Sequence, residues 1–152
     1  MIDKRRGNSV FFEDSKQERG TCMAKKRNII VGQSGGPTAV INSSLAGVYK
    51  TAKERGFHKV YGMLHGIEGF LDEMYVDLST QIHSDMDIEL LKRTPSAFLG
   101  SCRYKLPDNH ENPDIYEKIF GILDKLEIEA FIYIGGNDSM DTIKKLSDYA
   151  IV

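Results

Sequence analysis

Cysteine is scarce in this chain, with two residues in 152, Cys22 and Cys102. They make no disulfide framework and no metal-ligand pattern, and without a secretion signal they read as free thiols of a reducing cytosol. An excess of one charge is missing too. Twenty basic residues stand against 22 acidic ones, a net charge of −2, which argues against nucleic acid or an anionic membrane as a partner. No apolar run approaches the ~20 residues that span a bilayer, and the N-terminus lacks the apolar core of a signal peptide. Internal repeats and low-complexity tracts are absent as well. These absences leave a globular, cytoplasmic protein with 41% hydrophobic and 28% charged residues, long enough for one domain with a proper core.

Residues 1–25 are polar and aperiodic, with Val10, Phe11 and Phe12 as the only apolar island. They read as a disordered tail, and Met23, just ahead of the first strand, reads as the native initiator. Residues 26–152 form the folded part. A short buried strand is expected over 28–31, a turn over 32–37, and a helix over 38–55 with Ile41, Leu45, Val48 and Ala52 on one face. Gly56 suits the end of that helix. A second strand over 59–63 completes a βαβ unit, which implies parallel pairing. The middle is less regular. It offers a glycine-containing loop or short helix over 65–71, a short strand over 75–78, a brief helix over 85–93 and a short strand within 98–105. Asn112 and Pro113 then open a helix that runs to about 126, with Ile115, Ile119, Ile122, Leu123 and Leu126 as its apolar face. Residues 131–134 read as a buried parallel strand, and 140–149 as the last helix, with Asp138 or Ser139 as its cap. Ile151 and Val152 read as the start of a further strand. The fold class is α/β, a three-layer, Rossmann-like parallel sheet.

Three glycine-bearing loops fall at the strand ends where such sheets bind ligands. The first runs from Gly32 to Pro37, the second from Gly100 to Lys105, and the third from Gly135 to Ser139. The first and third each precede a helix, whose unpaired N–H groups and positive dipole end suit phosphate. The second carries Arg103 and Lys105, natural partners of phosphate oxygens. The third carries Asn137 and Asp138, which can hold Mg²⁺ directly or through water. Each feature has a plainer reading alone: Arg103 as a surface arginine, Asp138 as a cap, Gly35-Gly36 as a turn, His65 as a loop histidine, and Lys144-Lys145 as a solvated helix face. Jointly they describe a polyphosphate site. No lysine follows Gly36 in the register of a P-loop, and no GxGxxG with a later acidic residue is present. No Ser/His/Asp or Cys/His constellation emerges.

The segments Ile29-Ile30-Val31-Gly32-Gln33-Ser34-Gly35-Gly36-Pro37-Thr38-Ala39-Val40-Ile41-Asn42, Leu99-Gly100-Ser101-Cys102-Arg103-Tyr104 and Ile134-Gly135-Gly136-Asn137-Asp138-Ser139-Met140 together resemble the 6-phosphofructokinases. The resemblance covers about 26–149 and implies the N-terminal part of that fold, truncated. It implies phosphoryl transfer to the 1-hydroxyl of fructose 6-phosphate, a glycolytic step, with Mg²⁺. By motif position it implies donor-phosphate contacts at Gly35, Arg103, Tyr104, Gly136, Asn137, Asp138 and Ser139. The family's magnesium-linked aspartate falls at Asn137, a departure that leaves a neutral amide oxygen as the metal contact. At the next position ATP users in the family carry glycine and pyrophosphate users often aspartate. Asp138 would crowd and repel the α-phosphate of ATP and leave room for pyrophosphate, so the resemblance is to the pyrophosphate-dependent type, with ATP as the alternative donor.

The family's catalytic aspartate belongs to a loop beyond Val152, and most of its fructose 6-phosphate site to later sequence. No catalytic residue is therefore assigned in this chain, which holds a donor half-site. The full-length form is expected to be a homo-oligomer. Two other readings stand beside the enzyme: a non-catalytic binder of polyphosphate and Mg²⁺, and a fragment without function. With the chain ending here, the strand over 131–134 is expected to keep one unpaired edge, an aggregation hazard.

Overall fold

The structure is a computed structural model that describes residues 2–3 and 27–151. The assignments made to Met23, Cys22 and the apolar island at 10–12 lie outside the described residues. The chain runs through β1 (Ile2–Asp3), β2 (Asn28–Gln33), α1 (Ala39–Glu54), β3 (Lys59–Met63), α2 (Gly66–Leu71), β4 (Tyr75–Asp77), α3 (Asp85–Arg93), α4 (Pro113–Lys125), β5 (Ile128–Ile134) and α5 (Asn137–Ile151). The strands lie in one sheet in the order β1-β5-β2-β3-β4. Among the described residues no helix is long and apolar enough to cross a membrane.

The fully buried β2 pairs in parallel with β3 on one side and β5 on the other. The edges differ from the expected parallel sheet, because β4 runs antiparallel to β3 and β1 antiparallel to β5. The reason at β4 is the connection. Only the two-turn helix α2 and its flanking turns separate β3 from β4, too little chain for a crossover back to the start of the sheet. At β5, Ile2 and Asp3 pair with Phe131 and Ala130, so the expected open edge is partly covered.

Alternation along β2 sends side chains to both faces. Ile29 and Val31 join Leu45 and Tyr49 of α1 and Leu91 of α3 in one apolar cluster. Ile30 joins Phe131, Tyr116 and Ile119 of α4 and Leu146 of α5 in the other. The sheet is thus the middle of three layers. α1 ends at Glu54, and Gly56, next after the capping Arg55, takes a φ of +76°, as that position requires.

Two expected strands do not form. Residues 98–105 lack regular structure. Gly100 turns the chain at a φ of +74°, and the N–H groups of Phe98 and Leu99 donate to Asn42 Oδ1 and Gln33 Oε1 instead of to a neighbouring strand. Ile151 closes α5 and opens no strand. No glycine or proline interrupts this helix, and Tyr149 packs its last turns against Tyr116 and Phe120, with ring centroids 5.0 and 5.2 Å away. The outer half of β5, Ile132 to Ile134, is only half-buried where full burial was expected.

Candidate functional site

Neighbouring parallel strands whose following helices go to opposite faces leave a crevice between their loops. β2 and β5 are such a pair. α1 packs into the cluster on one face, whereas α5 places Leu146 in the cluster on the other. The two turns meet at the mouth of this divergence. Gly35 takes a φ of +84°, and a Cβ on it would lie 3.6 Å from the N of Gly136. The backbones are also tied directly, by Ser34 N–H donating to Ile134 O at 2.8 Å.

The middle loop docks onto the first. Ser101 Oγ donates to Gly35 O at 2.6 Å, and Ser34 Oγ donates to Cys102 O at 3.3 Å. All three glycine-bearing loops of the sequence therefore share one site, although the middle one follows a turn and no strand. Arg103 and Lys105 are exposed there, and Arg103 makes no ion pair among the described residues. Tyr104 is half-buried, its ring leaning on the α4–α5 side of the core. His65, in the left-handed region with a φ of 54°, lies under the same loop, since a Cβ on Gly100 would stand 2.6 Å from His65 Nδ1.

Both helices that start at the crevice lack a side-chain cap. Thr38 stands at the capping position of α1 without a side-chain hydrogen bond, and the first turn of α1 holds no acidic residue. α5 begins at Asn137, earlier than expected, so neither Asp138 nor Ser139 is its cap. Gly136 precedes the first turn and offers only its carbonyl, to Met140 N–H at 3.1 Å. Asn137 and Asp138 are exposed on that first turn. Ser139 points inward. It is 3% exposed, and its Oγ is buried without a hydrogen-bond partner. A Cβ on Gly135 would overlap that Oγ and come within 2.8 Å of Ser34 O, so the turn demands glycine there. Uncapped N–H groups at two helix starts, with an orphaned hydroxyl in one of the turns, are donors of the kind that accept an anion.

Several supporting residues carry no signal by themselves in the sequence. Tyr133 reaches from β5 to the start of α2, where its hydroxyl accepts from Ile67 N–H at 3.0 Å and lies 3.5 Å from Cys102 Sγ. Burial pushes its phenol well above the ordinary tyrosine range. Lys145 was expected on a solvated face. It is instead a clip, donating to Leu106 O at 2.8 Å and pairing with Asp108 and Asp141 at 3.1 Å each, so it fastens the far end of the middle loop to α5. Gln33 and Asn42, both fully buried, bond to each other at 3.0 Å.

For magnesium, the oxygens at hand are the Asn137 amide and the Asp138 carboxylate. Among the described residues no group of three or more His, Cys, Asp or Glu could hold a metal. This donor set fits an ion held mostly by water and by ligand phosphates, the usual state of protein-bound Mg²⁺, and does not fit an all-protein cage.

The phosphofructokinase family profile matches residues 28–152. The chain belongs to the phosphofructokinase family. Among its relatives, the pyrophosphate–fructose 6-phosphate 1-phosphotransferase of Rhodospirillum rubrum is 42% identical over 128 residues, covering 82% of this chain and 30% of the relative. The ATP-dependent 6-phosphofructokinase of Glaesserella parasuis is 32% identical over 126 residues, or 83% of this chain and 36% of the relative. Among solved structures, the pyrophosphate-dependent phosphofructokinase of Nitrosospira multiformis aligns with a TM-score of 0.71 at 40% identity, covering 81% of this chain and 30% of that one. The resemblance seen in the three motifs is therefore a family membership, and its similarity is stronger to these pyrophosphate-dependent members. The chain spans about 30% of their length.

Proposed function

We propose that this chain forms the phosphoryl-donor half-site of a pyrophosphate-dependent 6-phosphofructokinase, which moves a phosphoryl group from pyrophosphate to the 1-hydroxyl of fructose 6-phosphate. The observation that carries the reading is the meeting, at Gly35 and Gly136, of the two turns that lead into the uncapped helices α1 and α5, with Ser139 Oγ buried and unpartnered beside Gly135. Phosphoryl transfer is a matter of holding donor and acceptor in line and neutralising charge. In this proposal the N–H groups at the starts of α1 and α5 hold the donor oxygens. Arg103 supplies the mobile positive charge, with Tyr104 beside it. Mg²⁺ offsets phosphate charge next to Asn137. Asp138 sets the donor, because its carboxylate sits where a third phosphate would bring more negative charge.

Calorimetric titration of the chain with magnesium pyrophosphate and with magnesium ATP tests the proposal. Pyrophosphate binding is expected, with ATP at least about tenfold weaker, and Asp138→Gly should narrow that gap. ATP binding as tight as pyrophosphate, unchanged by the substitution, would move the assignment to an ATP-dependent enzyme. Silence with both would remove the donor site.

A further inference from the structure

We infer that Gln33 and Asn42 form a positioning pair that sets the middle loop, and with it Arg103, against the phosphate-accepting turns. The inference rests on the donor-site reading above and adds to it the residues that hold the site in register for a condensed phosphate. Both amides are 0% exposed. Asn42 Nδ2 donates to Thr94 O at 2.8 Å and Ser96 O at 2.7 Å, while its Oδ1 accepts from Phe98 N–H at 2.9 Å and from Gln33 Nε2. Gln33 Nε2 also donates to Ile41 O at 3.2 Å, and Gln33 Oε1 accepts from Leu99 N–H at 2.9 Å.

Every N–H of the pair is used, and each carbonyl oxygen accepts. A buried amide is stabilising only in that condition, because an unpaired one keeps its full desolvation cost. The partners explain the arrangement. The backbone of residues 94–99 has no strand ladder, and these two side chains take its place. They do so where the chain is strained, between Ser96 at a φ of +65° and Gly100 at +74°. Gln33 is also the residue before Ser34 and Gly35, so the first and middle loops spring from one anchor. Past Leu99, the middle loop's other bonds to the first are those of Ser101 and Ser34. Apolar side chains could fill this space, but none could bond backbone donors and acceptors at once. The exposed Arg103 gets its position from the backbone beneath it, and a small misplacement of such a group costs binding and rate.

The test uses the whole 152-residue chain. Gln33→Met keeps the length of the side chain and removes its bonds. Ile119→Val, on the buried face of α4, serves as a control that lowers the melting temperature without touching the loops. Gln33→Met is expected to weaken magnesium pyrophosphate binding at least about tenfold by calorimetry, and to speed amide hydrogen exchange at residues 98–100, whose N–H groups are bonded in the parent. Ile119→Val should do neither. If Gln33→Met does not fold, Gln33→Asn keeps a neutral amide but stops one methylene short of Leu99 N–H, and should move both readouts in the same direction. Affinity within about twofold of the parent, with exchange at 98–100 unaltered, overturns the positioning role. A parent chain that ignores pyrophosphate sinks the donor-site reading instead, and the exchange result then decides the pair by itself.

Discussion

Tyr133 shows how one side chain can serve packing and the site together. Its ring belongs to the α4–α5 side of the core, and its hydroxyl caps the start of α2 beside Cys102. Burial raises its phenol above the ordinary value of 10.0. Above that pH the unfolded chain has released the proton and the folded chain still holds it. The folded state then binds more protons, so stability is fully present below about pH 10 and falls as pH rises beyond it, by up to about 1.4 kcal/mol per pH unit. Burial raises Tyr49 and Tyr116 in the same direction. Tyr133→Phe should cost about 1 kcal/mol at neutral pH for the lost bond, and should flatten the alkaline decline. Urea denaturation at a series of pH values from about 8 to 11 reads both effects. An alkaline slope equal to that of the parent would remove Tyr133 as its source. The sequence flagged glycines, Arg103 and Asp138 at this scale because their chemistry is local. It did not flag Tyr133, since an aromatic residue in an apolar strand reads the same whether or not its hydroxyl has a partner.

The helices carry the site by holding their N-termini in place. α5 is anchored through Leu146, 1% exposed, and through Tyr149 against Tyr116 and Phe120. Leu146→Ala should therefore cost about 2–5 kcal/mol, a large share of the ~5–15 kcal/mol typical of a domain. The urea midpoint should fall with little change in slope. A loss below about 1 kcal/mol would mean that α5 is not docked as described. Helix periods and stop signals were legible for α1, α3 and α4 because they are set within a few residues. α3 carries a full capping box, in which Ser84 and Asp87 bond each other's backbone N–H groups. α5 starts earlier than its sequence suggests, because Asn137, Asp138 and Ser139 look like capping residues and are in fact its first turn. The apolar face of α4 holds at Ile119, Ile122 and Leu123, and Tyr116 is fully buried beside them. Its hydroxyl finds Pro107 O at 2.7 Å, and that partner made full burial of a tyrosine tolerable.

At the scale of the molecule, the sheet has both faces covered and its central strands intact, while the chain spans about 30% of the relatives it matches. On the proposed reading this chain carries the donor half-site and no acceptor site or general base. The isolated chain should bind magnesium pyrophosphate yet yield no fructose 1,6-bisphosphate from fructose 6-phosphate, because positioning without a base and an acceptor site leaves the barrier in place. A coupled assay for the product checks this, and donor-dependent product above the blank would overturn it. Self-association is a related concern. β1 pairs only with Ala130 and Phe131, so the outer edge of β5 beyond them has no strand partner among the described residues.

Strand and helix identity, the βαβ unit from β2 to β3, and the three ligand-edge motifs could be read from the chain because alternation, helical period and turn chemistry act over a few residues. The family followed from those motifs in order. Contact between loops far apart in sequence could not be read this way. Ser34 and Cys102 meet, as do Gly35 and Gly136, Asn42 and Ser96, and Lys145 and Leu106, through the packing of strands, helices and loops distant in the chain. That same packing left Ser139 Oγ without a partner and made a buried amide pair the anchor of a loop. These outcomes depend on which surfaces meet when the three layers close, and a short window of sequence holds no record of its distant neighbours.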